Sequence, residues 1–150
     1  MGDRLVMLLT CTTVAALLAL GIELYVFTVA YPLFAMIGER EFPAVHAFHA
    51  ARITYSIGPA LVLAAAGNGL LLFERPAVVG LGLPIAATGA GLLVLAITAF
   101  VQVPLHVQLD ALGRDLPTLA RLNANEVYRA LFTLVQAGCD VAMLVLLLRR

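Results

Sequence analysis

The chain contains no lysine, and its nine basic residues are arginines scattered along the sequence. Nucleic-acid recognition needs basic residues gathered on one face, so this distribution argues against it. Cysteine is scarce too. Cys11 and Cys139 both fall in apolar segments, without CxxC spacing and without the density of a disulfide framework, and read as small hydrophobes. Charge of either sign is sparse: 12% of the 150 residues are charged, the formal net charge is zero and 63% are hydrophobic. That balance lies outside the range of soluble globular domains and makes the chain a single integral membrane domain. Strict apolar–polar alternation is also missing, which leaves helices rather than a closed barrel as the way to satisfy the backbone in lipid.

What the sequence does have is four apolar runs. Crossing the hydrocarbon takes about 20 residues of helix. Helices are expected over about 5–31, 44–73, 77–106 and 124–148. Met1-Gly2-Asp3-Arg4 precedes a run too long for a signal-peptide core, with no small-x-small cleavage site before Glu23, so the first run reads as a mature helix. Gly38 to Pro43 forms the first link and Glu74-Arg75-Pro76 a tight second turn. Residues 108–123 are expected to be a polar loop, with Leu116-Pro117 opening a short interfacial piece. Short links between antiparallel helices imply an all-α, up-and-down four-helix bundle with both termini on one side. Small residues in the second and third runs, Ala64 to Gly67 and Gly80 to Gly91 among them, suit close packing. Pro59, Pro84 and Pro104 are candidate kinks. Arg4, Arg75, Arg149 and Arg150 fall on the side of the termini and Arg40, Arg114 and Arg121 on the other, so the positive-inside rule leans towards cytoplasmic termini.

The functional signal is an acid in the first run. Glu23 lies deep in apolar sequence, where a carboxylate costs several kcal/mol unless it is paired or protonated. Up-and-down threading brings His46, His49, Arg52, Gln102, His106, Asn125, Glu126 and Arg129 into the same half of the membrane. A helical rise of 1.5 Å per residue puts Arg52 at about the depth of Glu23, so a Glu flanked by Arg52 and Arg129 is geometrically accessible. His46 and His49 share a face with Arg52, Gln102 and His106 are one turn apart, and Asn125, Arg129, Phe132, Gln136 and Asp140 form one stripe.

Three readings stay open. The polar residues can be structural, meeting headgroups and holding helices together. They can be a metal or haem site using His46, His49 and His106, with Glu23 or Glu126 as an oxygen ligand. Or they can line a substrate pocket, with a histidine as base and an arginine binding an anion. Asp140 stands apart in the opposite half, where Thr12, Thr13, Asn68 and Thr88 are available to hydrogen-bond it.

Gln102-Val103-Pro104-Leu105-His106, followed by a polar stretch and then Asn125-Glu126-Val127-Tyr128-Arg129-Ala130-Leu131, resembles small four-helix bacterial membrane proteins distantly similar to the anthrone oxygenase-like integral membrane family. Tyr31-Pro32-Leu33-Phe34 and the stretch from Glu41 to Ile53 extend the resemblance over most of the chain. Tryptophan, common in that family near the fourth-helix motif, is replaced here by Tyr128 and Phe132, and Glu126 stands where relatives often carry Asn. The resemblance implies a four-helix bundle with Gln102, His106 and Arg129 as site residues; with these departures it does not by itself carry over the family's oxygenation of a phenolic or quinone-like substrate without a cofactor.

These strands combine into one expectation: a membrane oxidoreductase or oxygenase acting on a hydrophobic aromatic or quinone-like molecule. His106 or His49 serves as base, Arg129 or Arg52 stabilises an oxyanion, and Glu23 is the buried counter-charge. Gln102, Asn125, Glu126, Tyr128 and Arg52 line the substrate site. The cofactor stays open between a metal ion, a haem and none. The alternative is a non-enzymatic accessory subunit or lipid-binding module. Expected partners are membrane lipid, a hydrophobic small molecule, and a second copy or a larger membrane complex; the expected location is a bacterial inner membrane.

Overall fold

In the computed structural model, which describes residues 2–149, four long helices form an up-and-down bundle, and there is no strand among the described residues. They are α1 (Gly2–Phe34), α2 (Phe42–Leu71), α3 (Gly82–Leu112) and α4 (Leu116–Leu148), each long and apolar enough to cross a membrane. Only 28–33% of the most apolar window of each helix is buried inside the protein, so most of the apolar surface is left for lipid. Leu17, Val62, Leu63, Leu92 and Leu134 point outward, whereas Glu23, Asn68, Gln102, Glu126, Gln136 and Asp140 are buried. The chain is therefore a membrane protein with its apolar side chains turned out and its polar ones turned in.

Each helix packs on two neighbours, α1 on α2 and α4, and α3 on α4 and α2, with the α2–α3 contact the loosest. Close approach depends on two glycines. A Cβ at Gly67 would collide with Thr12 of α1, and one at Gly91 would lie 2.9 Å from Gln136 Nε2 of α4. Gly69, Gly80, Gly82 and Gly89 face open space, so the small-residue stripe works at fewer positions than its length suggests. An apolar cluster of Phe34, Phe42, Leu105, Leu109, Leu119 and Leu122 closes the end opposite the termini, and Leu9, Leu71, Val79, Ala87 and Met143 close the other.

The helix limits differ from the sequence reading. α3 starts at Gly82, not 77, because Pro76 to Leu81 form a turn, with Val79 N–H donating to the Pro76 carbonyl and the Val79 side chain sunk into the lower cluster. The polar stretch 108–123 is helix on both sides of a three-residue link. Gly113, at φ +73°, ends α3 in a conformation that favours glycine. Asp115 then caps α4 by accepting from Thr118 N–H at 2.9 Å, with Pro117 in the first turn. Leu119 and Leu122, on the inner face, give this segment an apolar seat that its polar composition hides.

Hydrogen bonds from the Thr118 side chain and backbone hold the Asp115 carboxyl below the usual carboxylate range. A depressed folded-state value stabilises the native form above the ordinary carboxylate range and loses that contribution as pH falls through it. Asp115→Asn keeps a capping side chain but no titrating group. Its melting temperature should therefore fall less than that of wild type between pH 5 and pH 3, about the span over which an aspartate protonates; identical profiles would show that the cap is not linked to acid stability.

α1 and α3 each contain one π-helical turn, Val26–Ala30 and Thr98–Gln102, and each turn is followed two residues later by a proline, Pro32 or Pro104. Proline has no N–H and clashes with the carbonyl one turn back, and a widened turn relieves both problems. The bulge also resets the phase of the helix. Eight regular residues would leave Tyr31 about 80° off the face of Glu23, whereas one inserted residue brings it to within about 20°. Glu23 and Tyr31 are accordingly both buried, as are Val94 and Gln102, also eight apart, across the second bulge.

Candidate functional site

The buried face of α4 reads Leu122, Glu126, Arg129, Thr133, Gln136, Asp140, at helical spacing. Arg129 is its centre. Its Nη1 donates to Glu126 Oε2 at 2.8 Å and its Nη2 to Glu23 Oε1 of α1 at 3.1 Å. Gln102 of α3 donates from Nε2 to the same Glu126 oxygen at 3.0 Å and, at 3.4 Å, to the Leu122 carbonyl. Glu23 and Glu126 have no exposed surface and Arg129 is 5% exposed, so the pairs are desolvated and each bond matters. Two carboxyls share one guanidinium. The triad is one negative charge in excess unless a carboxyl keeps its proton or a cation joins it. Glu23 Oε2, Glu126 Oε1, Arg129 Nε and Gln102 Oε1 have no hydrogen-bond partner among the described residues.

A second set of polar groups lies above this triad, towards the end opposite the termini. His46 Nδ1 is 2.8 Å from Asp110 Oδ1, His46 Nε2 is 2.9 Å from His106 Nδ1, and His106 Nε2 is 3.2 Å from the Tyr31 hydroxyl. His46 is buried, while the Asp110 side chain is 58% exposed. His46 stacks on Phe42, and His49 sets its ring edge-on against Phe34 and Tyr31.

Between α2 and α3, where the helices touch least, is a cavity of about 290 Å³. Val26, Ile53, Ile57, Leu61, Val103 and Val107 supply apolar walls, and Tyr31, Gln102, His106, Asp110, Glu126 and Arg129 line it with polar groups. Both π turns contribute, through Val26, Thr98 and Gln102. The exposed Thr54, Val103 and Val107 edge its mouth, which faces sideways between two helices, towards lipid.

Glu23, Gln102, His106, Glu126 and Arg129 thus come together, and other expected members do not. Arg52 is exposed on α2, its guanidinium 4.9 Å from the Phe48 ring, so Glu23 is paired with Arg129 rather than flanked by two arginines. Tyr128 is 57% exposed on the outer face of α4. Asn125 donates back to the Arg121 carbonyl at 2.8 Å, and Glu126, one position on, leads the inward stripe in its place. His49 is half-buried and is not among the residues that line the cavity; its Nε2 has no partner among the described residues. Of the three histidines expected as metal ligands, His46 and His106 lie together and His49 stacks beside His106. His46 and His106 bond each other, and their outer nitrogens are taken by Asp110 and Tyr31; among the described residues no group of three or more His, Cys, Asp or Glu side chains is placed to hold a metal ion.

Tyr31 and Asp110 are the site residues the sequence reading missed. Asp110 had a signal, since Gln102, His106 and Asp110 recur every four residues, but the expected end of the helix at 106 hid it. Tyr31 had none, because its inward phase depends on the bulge. In the opposite half Asn68 Nδ2 donates to Asp140 Oδ2 at 3.3 Å, and Thr12 and Thr13 bond their own helix.

Fold and geometry define an all-α integral membrane protein with a desolvated Glu–Arg–Glu centre beneath a histidine pair, both bordering a cavity that opens sideways. No family model, curated protein or solved structure matches the chain.

Proposed function

We propose that this protein takes a hydrophobic aromatic or quinone-like molecule bearing a phenol or carbonyl oxygen into the α2–α3 cavity and acts on it as a membrane oxidoreductase or oxygenase. The observation that carries this reading is the cavity itself, with apolar walls, a mouth towards lipid and a polar end formed by Tyr31, Gln102, His106, Glu126 and Arg129. Its volume of about 290 Å³ suits one ring system, with an aliphatic tail left in the membrane. Both ring nitrogens of His106 are already bonded, so the Tyr31 hydroxyl meets the ligand and His106 is the base behind it. Deprotonating a phenol makes its ring electron-rich, the form that dioxygen or a quinone oxidises most readily.

The resemblance to the anthrone oxygenase-like family at Gln102 to His106 and Asn125 to Leu131 supports Gln102, His106 and Arg129 as site residues. The arginine count, four on the side of the termini against three on the other, supports cytoplasmic termini, which puts the polar half on the outer side, and the likeness to bacterial proteins supports a bacterial inner membrane. Partners in this reading are membrane lipids, the hydrophobic substrate and, through the lipid-facing helix surfaces, a second copy or a larger complex.

The test is turnover of a short-chain benzoquinol in proteoliposomes. In air-saturated buffer wild type should oxidise it with dioxygen taking the electrons, and His106→Ala should lose about 100-fold or more of that rate, the usual weight of a general base, while remaining folded by circular dichroism. Full activity in His106→Ala rejects the assignment. Binding without turnover in wild type supports a lipid-binding or accessory role instead.

A further inference from the structure

Resting on the pocket reading above, we infer that Tyr31, His106, His46 and Asp110 form a proton relay between the cavity and the aqueous edge of the membrane. The three contacts in series, 3.2, 2.9 and 2.8 Å, are all within hydrogen-bonding distance, and they join side chains from α1, α2 and α3. Both ends line the cavity, Tyr31 as a buried side chain and Asp110 as an acid with 58% of its side chain exposed, so the chain leads from the cavity's buried end to its exposed edge. His46, which does not line the cavity and is buried against Phe34 and Phe42, joins the two ends.

Donor directions set the first hop. An ionised Asp110 can only accept, so His46 carries its proton on Nδ1 and accepts at Nε2. His106 must then donate from Nδ1 and accept at Nε2, where the Tyr31 hydroxyl donates. Every hydrogen in the chain points outward. A phenolic O–H in the cavity passes its proton to the Tyr31 oxygen as Tyr31 passes its own to His106 Nε2. The Nδ1 proton of His106 moves to His46 Nε2, that of His46 Nδ1 moves to Asp110, and Asp110 releases a proton to water. One O–H bond breaks in the ligand, one forms in water, and no electrons change hands. His49, with its ring centroid 6.1 Å from that of His106, stacks beside the line without a hydrogen bond into it.

This assigns functions to three side chains. His46 and Asp110 are relay residues rather than metal ligands or loop residues, and the Tyr31 hydroxyl is the transfer atom at the cavity.

The experiment uses the full chain in detergent with an alkyl-substituted 4-nitrophenol, whose phenol and phenolate forms differ in colour. After binding is established from the spectral shift, an alkaline pH jump in a stopped-flow instrument follows deprotonation of the bound probe at saturation. Asp110→Asn and His46→Gln should each slow that phase by about tenfold or more, the low end for losing a proton-transfer partner. Free imidazole in the buffer should restore the rate of Asp110→Asn. Asp110→Asn alters an exposed group and keeps the test valid should His46→Gln fail to fold. Wild-type rates in Asp110→Asn, or slowing that imidazole does not rescue, overturn the relay and leave the pocket standing. A wild-type protein that does not bind the probe overturns the pocket reading, and the relay falls with it.

Discussion

Replacing Arg129 with methionine should destabilise the bundle by about 3–5 kcal/mol, the cost of leaving buried charge without its partner. The side chain is similar in length and apolar, so packing changes little. The electrostatics change completely, because the 3.1 Å bond to Glu23 and the 2.8 Å bond to Glu126 both vanish, in a region with no exposed carboxyl surface. Gln102 remains as a donor to one Glu126 oxygen, which is too little for two acids. The loss is to be read as a fall in melting temperature in detergent. A second variant separates the charge from the shape: Arg129→Met combined with Glu23→Gln and Glu126→Gln should recover most of the stability, since a neutral buried set lacks the unpaired charge. A wild-type melting temperature in the single variant would mean that the three groups are not paired as observed.

Plugging the cavity should have the opposite profile, with binding lost and stability kept. Gly58 lines the cavity from α2, and a Cβ built there meets no atom within 4 Å, so a large side chain enters open space rather than a neighbour. Gly58→Trp should weaken binding of a quinone-type ligand by about 10- to 100-fold, the equivalent of the ~1.5–3 kcal/mol gained by burying an aromatic ring. Stability should hold or rise by up to about 1 kcal/mol, because glycine inside a helix is the poorest common residue short of proline. Fluorescence of the introduced tryptophan, the chain's only one, reports directly on its surroundings. Unchanged ligand affinity with a buried, blue-shifted tryptophan would show that ligand binds elsewhere.

Four membrane-spanning helices and the gathering of polar side chains towards one end could be read from residue order, because hydropathy, helical rise and alternating direction are additive along a chain. Glu23, sunk in an apolar run, demanded a partner on the same grounds. Its choice of Arg129 over Arg52 was not legible, since both stand at a suitable depth and only the rotation of their helices separates them. That rotation is collective. Gly67 against Thr12 and Gly91 against Gln136 set how closely the helices meet, and the π turns before Pro32 and Pro104 shift the phase of everything beyond them. A periodicity carried straight through those turns misplaces Tyr31 by about a quarter turn. The same limit hid Asp110 and began α4 too late, because polar residues between 108 and 123 look like loop until Leu119 and Leu122 are seen buried against another helix. Depth is therefore a property of position along each segment, whereas facing is a property of four segments packed together, and the proposed pocket and relay belong to the second kind.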